Sequence, residues 1–292
     1  MPLEPPPPPV AARPPPRQLT DRVVPDEADV ARRGDVVTRA SLAEDLRALG
    51  LDEGATVIVH SSLSRLGWVA GGAQAVVEAL REVVGADRTL VMPAHSGHLS
   101  EPSLWKDPPV PEAWWPVIRA ETPPFDPQVT PTREMGAVVE CFRHVPGVVR
   151  SAHPRHSFVA LGPLAGAVVA DHRLDGSLGE HSPLARCYER DASVLLLGVG
   201  HGNNTSLHLA EARADLSRKT LLNGSPMLTD GRRQWVVYEE DEIDSSDFDE
   251  IGAAFAGTGH ERFGDAGGGT ARLMSQRAIV DFGVAWMNAN RR

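Results

Sequence analysis

Short apolar runs alternate with amphipathic helical stretches through the middle of the chain. The runs at residues 56–59, 89–92 and 194–197 have the length and composition of buried strands. Between the first two, residues 73–84 repeat apolar positions at helical spacing. A strand, a helix and a strand in this order predict a parallel βαβ unit. The pattern therefore predicts an α/β fold with a mostly parallel central sheet and helices on both faces.

Other predicted elements surround this unit. Thr38 is a candidate N-cap for a helix that Gly50 ends. The pair Asp230–Gly231 lies between two extended runs and predicts an antiparallel hairpin near the C-terminal end. Residues 93–132 predict a long loop, a feature that usually forms a lid or a substrate wall. The remaining predictions are a strand at 157–162 and helices at 135–143, 162–172 and 271–288.

The clearest boundary lies near residue 33. Residues 1–33 contain proline blocks followed by charged residues, a composition that predicts a flexible, polyproline-like tail. A docking motif is the alternative to a dispensable tail. Residues 34–292 are predicted to form a single domain.

Composition narrows the functional classes. The chain has 292 residues, of which 41% are hydrophobic, and a formal net charge of −10. This acidity argues against a nucleic-acid partner and suits a cationic substrate. No apolar run approaches the roughly 18 residues of a membrane span, so no membrane partner is expected. Two cysteines, Cys141 and Cys187, favour a reducing compartment, and we expect a cytoplasmic protein with a homodimer as the default assembly.

The stretch from Val194 to Glu211 carries the strongest chemical signal. A buried-looking strand breaks into a glycine-rich turn and then into a helix that contains His208. Open α/β sheets bind ligands just beyond the carboxyl ends of their strands. A neutral imidazole at that place can act as a general base, and a hydrogen-bonded core histidine is the alternative interpretation.

A second polar cluster follows the first predicted strand. His60, Ser61 and Ser62 offer hydroxyl and backbone N–H groups that suit a phosphate, a carbonyl or an oxyanion. An ordinary turn between a strand and a helix explains these residues equally well. The nucleotide-binding pattern GxxxxGK[ST] is absent.

Five segments taken together resemble the aminoglycoside 3-N-acetyltransferase family, in the family's order and over about residues 56–211. They are VIVHSSLSRLGWVAGG, TLVMPAHSG, FDPQVTPTREMGAVVECFR, GVVRSAHPRHSFVALGP and LLLGVGHGNNTSLHLAE. The resemblance implies a fold unrelated to that of the larger acetyltransferase superfamily. It also implies transfer of the acetyl group of acetyl-CoA to the 3-amino group of a 2-deoxystreptamine aminoglycoside, which inactivates the antibiotic.

The resemblance also implies roles for individual residues. His208 matches the catalytic base, Glu240 matches a carboxylate beside it, and Glu242 falls on a second acidic position, so these three are the predicted catalytic residues. Glu240 is our first choice for the group that orients the imidazole. Predicted substrate contacts are Glu101, Asn203, Glu211 and Asp215. Predicted acetyl-CoA contacts are His60, Ser61, Ser62, Trp68, Ser96, Met135, Gly136, Ser151 and His153, with Arg133, Arg150 and Arg155 as candidate phosphate ligands.

Other classes of function compete with this interpretation. A metal hydrolase could use His201, His208 and Glu211, but the HExxH signature is missing and no metal is expected. Cys141 or Cys187 could form an acyl-enzyme, although neither follows a strand-end turn. A non-catalytic protein that binds CoA or an amine is a third alternative. Within the same chemistry, the acceptor could be another natural-product amine.

Overall fold

The computed structural model describes residue 27, residues 34–51 and residues 56–291. The tail predicted over 1–33 lies outside the described residues, apart from residue 27. The strands are β1 Thr56–Ser61, β2 Thr89–Pro93, β3 Val149–Arg150, β4 Phe158–Leu161, β5 Ser193–Leu197, β6 Thr220–Thr229, β7 Arg232–Asp241, β8 Glu261–Ala266 and β9 Gly269–Ser275. The helices are α1 Arg39–Ala48, α2 Gly72–Val84, α3 Trp115–Glu121, α4 Gly136–Phe142, α5 Ala165–Val169, α6 Pro183–Glu189, α7 Ser206–Arg213, α8 Phe248–Ala256 and α9 Gln276–Asn290.

Seven strands form one sheet in the order β3-β4-β2-β1-β5-β9-β8. The central strands β2, β1 and β5 are parallel neighbours, as the βαβ pattern predicts. β4 is antiparallel to β2 and β3, while β9 is antiparallel to β5 and β8. Five of the seven strands consequently run in one direction. Strands β6 and β7 form the predicted hairpin as a separate two-stranded sheet.

Helices cover both faces of the large sheet because its central strands are buried on both sides. Along β1, Val57 and Val59 join a core cluster with α1, α2 and α4, while Ile58 points to the opposite cluster. That second cluster contains residues of α6, α7, α8 and α9. The fold is therefore the predicted α/β arrangement with helices on both faces.

Local sequence signals explain where several helices begin. The Thr38 side chain accepts from the Ser41 backbone N–H, and Ser41 returns the contact, which forms a capping box before α1. The C-terminal helix begins later than predicted: residues 269–275 form strand β9, and α9 starts at Gln276 after the Ser275 N-cap. Among the described residues, no helix combines the length and the apolar character needed to cross a bilayer.

Candidate active site

The turn after β5 brings α7 to the carboxyl edge of the parallel strands. Gly198 has φ of 70°, and a Cβ at this position would lie 3.1 Å from the Ser62 carbonyl oxygen. Only glycine accommodates both constraints without strain. A short 3₁₀ turn, His201–Asn203, leads into α7, and His208 lies in the first turn of that helix.

His208 pairs with the carboxylate three residues further along the same helix. Its Nδ1 lies 2.9 Å from Oε2 of Glu211, and both side chains are largely buried. Because a carboxylate accepts hydrogen bonds, it favours the tautomer with a proton on Nδ1 and a free lone pair on Nε2. The expectation that Glu240 orients His208 is therefore corrected: Glu211, predicted as a substrate contact, occupies that place.

The other oxygen of Glu211 is held from the C-terminal end of the chain. Glu211 Oε1 accepts from Nη1 of Arg291 at 2.6 Å and from the backbone N–H of Asp244 at 3.0 Å. Arg291 also donates to Asp247. The carboxylate is thus fixed on both oxygens, and this fixes the imidazole ring in turn. Nothing in the local sequence around residue 291 points to this role.

Glu240 has a different set of partners. Its buried carboxylate accepts from Arg155, from Ser177 Oγ at 2.8 Å and from Asn223 Nδ2 at 2.8 Å. The imidazole of His156 lies 3.1 Å away. Burial raises the pKa of Glu240, but the hydrogen bond from His156, the charge of Arg155 and the other donors hold its pKa well below the usual range. Glu240 therefore ties the β6–β7 hairpin to the core.

A cluster of buried histidines surrounds Glu240. The rings of His153 and His156 stack with centroids 5.6 Å apart, and the buried His172 and the half-buried His95 lie beside them. Burial lowers the pKa of His156 to about 4 and the pKa of His172 to about 3. Burial, followed by the repulsion that protonated imidazoles so close together would exert on one another, lowers the pKa values of His95 and His153 well below 6.5. These imidazoles are neutral at pH 7.

Because the histidine cluster is buried in the neutral form, we expect the protein to lose stability in mild acid. An unfolded imidazole binds a proton near pH 6.5, whereas the folded histidines do so only at lower pH. The stability is fully present above pH 6.5 and is lost as pH falls toward the folded values. Each such histidine lowers the unfolding free energy by about 1.4 kcal/mol per pH unit below 6.5. Urea unfolding at pH 7.5 and 5.5 measures this slope.

Substitution of one buried and one exposed histidine tests whether the buried imidazoles cause this loss of stability. His172→Gln should reduce the number of protons taken up on unfolding by about one, which makes the unfolding free energy depend less steeply on pH. The matched change at the exposed His260 should leave that pH dependence unaltered. An unfolding free energy that stays flat from pH 7.5 to 5.5 would contradict the assignment of neutral buried histidines.

A large cleft of about 1130 Å³ opens at the carboxyl edge of β1 and β5. Its walls come from the loop after β1, the start of α4, the turn after β5 and the β8–β9 turn. This volume is slightly above the roughly 300–1,000 Å³ of typical small-molecule sites, which leaves room for a large cofactor. Five predicted acetyl-CoA contacts line it: Ser61, Ser62, Trp68, Met135 and Gly136, together with Asn203.

Two smaller cavities share walls with the large cleft. One, of about 90 Å³, contains His60 and Thr205, the residue that precedes α7. Another, of about 260 Å³, contains His95, His156 and Arg155. Glu134 and Met135 line all three. His208 itself lines a separate narrow pocket, while Thr205, directly before α7, lines the cavity that contains His60.

Three predicted acetyl-CoA contacts lie elsewhere. Ser96 donates to the carbonyl of Pro131, Ser151 contacts His172, and His153 accepts backbone N–H groups of residues 155 and 156. All three are buried among protein partners and line none of the cavities described above. We therefore leave them out of the candidate cofactor site.

The candidate phosphate ligands also need correction. Arg150 is engaged by the carbonyls of Ala94 and Thr130, and Arg155 is engaged by Glu240. Arg133 lines the cavity that contains His95. The cations in the large cleft are instead Arg65 and Arg272, which the sequence patterns did not single out.

The predicted catalytic residue Glu242 and the predicted substrate contacts are scattered. Glu242 lines a narrow pocket together with His208, Glu211 and Glu240. Glu101 forms a two-point contact with Arg119, at 2.5 and 3.0 Å. Asp215 is exposed and lines none of these cavities. The structure thus places the exposed Glu242 on the same pocket as His208, but it does not place Glu101 or Asp215 there.

The competing chemistries lack suitable geometry. Cys187 is buried, which raises its pKa to about 12, and neither cysteine lines the cavities described here. His201 and His208 contact separate carboxylates. Among the described residues, the group spaced for a metal ion is His153, His156 and Glu240, but there a cation would compete with Arg155 for the carboxylate.

Comparison with known proteins now decides the family. The family model for aminoglycoside 3-N-acetyltransferase matches residues 58–288. The chain belongs to this family. One relative is the SPbeta prophage-derived aminoglycoside N(3')-acetyltransferase-like protein YokD of Bacillus subtilis (strain 168), 45% identical over 254 residues, or 87% of this chain and 93% of the relative. Its crystal structure superposes with a TM-score of 0.86 and covers 88% of this chain and 95% of that one.

Two further similarities are to another aminoglycoside N(3)-acetyltransferase and to a CoA-bound acetyltransferase structure. Aminoglycoside N(3)-acetyltransferase VII of Streptomyces paromomycinus is 40% identical over 286 residues, covering 90% of this chain and 96% of the relative. The structure of AAC-IIIb in binary complex with CoASH is 35% identical with a TM-score of 0.78, covering 87% of this chain and 97% of that one. The family match includes His208 and all the residues that line the large cleft, but it ends before Arg291.

Proposed function

We propose that this protein transfers the acetyl group of acetyl-CoA to the 3-amino group of a 2-deoxystreptamine aminoglycoside. In this proposal His208 is the general base and Glu211 orients it. The observation that carries the proposal is the His208–Glu211 pair at the strand edge, with Glu211 fixed by Arg291. The CoA-bound family structure and the aminoglycoside acetyltransferase relatives support the two substrates.

The proposed reaction balances with the groups present. The amine nitrogen of the acceptor forms a bond to the thioester carbonyl carbon, and the carbon–sulfur bond of acetyl-CoA breaks. His208 Nε2 takes a proton from the attacking nitrogen and returns it to the leaving sulfur. Glu211 stabilises the imidazolium that exists between these two proton transfers.

In this proposal the large cleft holds CoA. Ser61, Ser62 and Gly136 offer polar backbone and hydroxyl groups, while Trp68 and Met135 offer apolar surface for the pantetheine arm. The cavity beside His60 and Thr205 then leads the thioester toward α7. Burial lowers the pKa of His60 to about 3, so this imidazole adds no positive charge beside the acceptor amine.

One observation favours a second candidate within the same chemistry. Most carboxylates around His208 already have a cationic partner: Arg291 engages Glu211, Arg155 engages Glu240 and Arg218 engages Asp241. A polycationic drug needs several carboxylates that remain available. Acetylation of a natural-product amine with fewer charges is therefore the second candidate.

A thiol-release assay distinguishes these acceptors. We expect acetyl-CoA consumption and free CoA thiol release to require an aminoglycoside, tested with gentamicin, kanamycin, neomycin and apramycin. Acceptor-dependent release combined with mass-spectrometric location of the acetyl group on the 3-amine would support the proposal. Binding of CoA without release for any of these drugs, but with release for other amines, would favour the second candidate.

A further inference from the structure

Arg272 is placed on the wall of the large cleft by the unpredicted hairpin of β8 and β9. It lies opposite Leu196 of β5 in the sheet register and opposite Phe263 of β8. Among the described residues that line the cleft, the side chains with a permanent positive charge are Arg65 and Arg272. An anionic ligand that fills this cleft would meet these two guanidinium groups.

A buried carboxylate holds the Arg272 guanidinium in place. Glu261, whose side chain is only 3% exposed, accepts from Nη1 of Arg272. The guanidinium also lies over the ring of Phe263, 4.7 Å from its centroid. Among the described residues, Arg272 makes no other side-chain hydrogen bond, so its remaining N–H groups are available to a ligand.

His201 fixes the other oxygen of that carboxylate. Its Nε2 lies 2.6 Å from Glu261 Oε2, and the histidine is buried. The backbone of α8 packs directly on the imidazole, since a Cβ on Gly252 would lie 2.2 Å from the His201 ring. The row His201, Glu261 and Arg272 therefore begins in packed core and ends at the cleft.

We propose that Arg272 binds a phosphate of CoA in the large cleft and that Glu261, held by His201, is a positioning residue for its guanidinium. This inference rests on the proposed function, because it requires CoA in that cleft. A guanidinium fork matches phosphate oxygens, and a side chain fixed beforehand loses less conformational entropy when the ligand binds. The carboxylate of Glu261 neutralises part of the Arg272 charge. Its contribution to binding is therefore to orient the Arg272 guanidinium.

Direct binding of CoA tests the role of Arg272 without an acceptor. Calorimetry would compare the wild type with Arg272→Ala for CoA, 3′-dephospho-CoA and pantetheine. We expect Arg272→Ala to weaken CoA binding about 10- to 100-fold, the range for a charge-assisted hydrogen bond, and to leave pantetheine binding unchanged. Arg272→Lys should recover part of the loss. A change below twofold for CoA would overturn the inference.

The 3′-dephospho-CoA measurement identifies the phosphate. If Arg272 binds the 3′-phosphate, the wild type and Arg272→Ala should bind 3′-dephospho-CoA equally. If Arg272 binds the pyrophosphate, Arg272→Ala should bind both CoA and 3′-dephospho-CoA more weakly than the wild type does. Equal loss for all three ligands, pantetheine included, would indicate a collapsed cleft wall and would contradict a phosphate contact.

Kinetics test the positioning role of Glu261. We expect Glu261→Gln to raise KM for acetyl-CoA severalfold while kcat stays within twofold, and to add nothing when Arg272 is already alanine. If Glu261 only stabilised the hairpin, its substitution would lower thermal stability and would have the same effect on KM in the wild type and in Arg272→Ala. Glu82→Gln is the matched control, since Glu82 likewise bridges two basic side chains, Arg39 and Arg47, away from the cleft.

The proposed function and this inference fail in different ways. A wild-type protein that binds no CoA would contradict the proposed function itself. A wild type that binds CoA and acetylates an amine, beside an Arg272→Ala variant with unchanged CoA affinity, would contradict only the phosphate contact.

Discussion

His208→Ala should lower kcat about 10²- to 10⁴-fold while CoA still binds with its wild-type affinity. The reason is that the variant loses the only function that the His208–Glu211 geometry gives the imidazole, namely acceptance of the amine proton at Nε2. The large cleft does not include His208, so the cofactor contacts stay in place. Steady-state thiol release and calorimetry with CoA measure the two quantities separately.

The matched control is His144→Ala, because this histidine is exposed and lies outside the described cavities. It should retain the kinetic constants of the wild type. In the His208→Ala protein, a kcat within threefold of wild type would remove His208 from the chemistry. A parallel loss of CoA affinity would instead indicate that the variant has disturbed the cleft.

Local signals were sufficient for the elements that carry the candidate base. The buried run before Gly198 predicted β5, and the polar residues after it predicted the start of α7. The spacing of His208 and Glu211, three residues apart in a helix, also places them on one face. That spacing could have identified the orienting carboxylate, but the family pattern directed attention to Glu240.

The contributions from distant parts of the chain could not be predicted in the same way. Arg291 reaches Glu211 only because α9 packs beside α7 at the end of the chain. Arg272 reaches the cleft only because β9 pairs with β5. Such contacts depend on strand order and helix packing. The hydrophobic pattern of residues 261–291 predicts neither of them. The Gly267–Gly269 run between two extended segments did contain a hairpin signal, but the sequence analysis predicted no hairpin there and began the C-terminal helix at residue 271, inside β9.

Ser96, Ser151 and His153 illustrate a different difficulty. Hydroxyl and imidazole groups in a motif serve either a ligand or the backbone that folds around it. Here buried partners engage all three, for example the Ser151 hydroxyl, which accepts from the Phe158 N–H at 2.9 Å. Burial decides between the two roles, and burial of a polar loop residue depends on the tertiary packing of elements far apart in sequence.

Glu240→Gln should destabilise the folded protein by about 2–4 kcal/mol, because it leaves Arg155 without a counter-charge in a largely buried site. The amide also replaces an acceptor-only group, so one of the donors from Ser177, Asn223 or Arg155 faces an N–H instead of an oxygen. The urea midpoint at pH 7.5 measures the loss. Glu239→Gln is the control, since the neighbouring side chain is exposed and should leave the midpoint unchanged.

The same variant separates the two roles considered for Glu240. A carboxylate that oriented His208 would, when replaced, lower kcat strongly and leave the urea midpoint near that of the wild type. A carboxylate that joins the β6–β7 hairpin to the histidine cluster would lower the midpoint, and kcat of the remaining folded enzyme would fall far less than in His208→Ala. The hydrogen bonds of Glu240 to Arg155, Ser177 and Asn223 predict the second result, and an unchanged midpoint with a large loss of kcat would reverse the assignment.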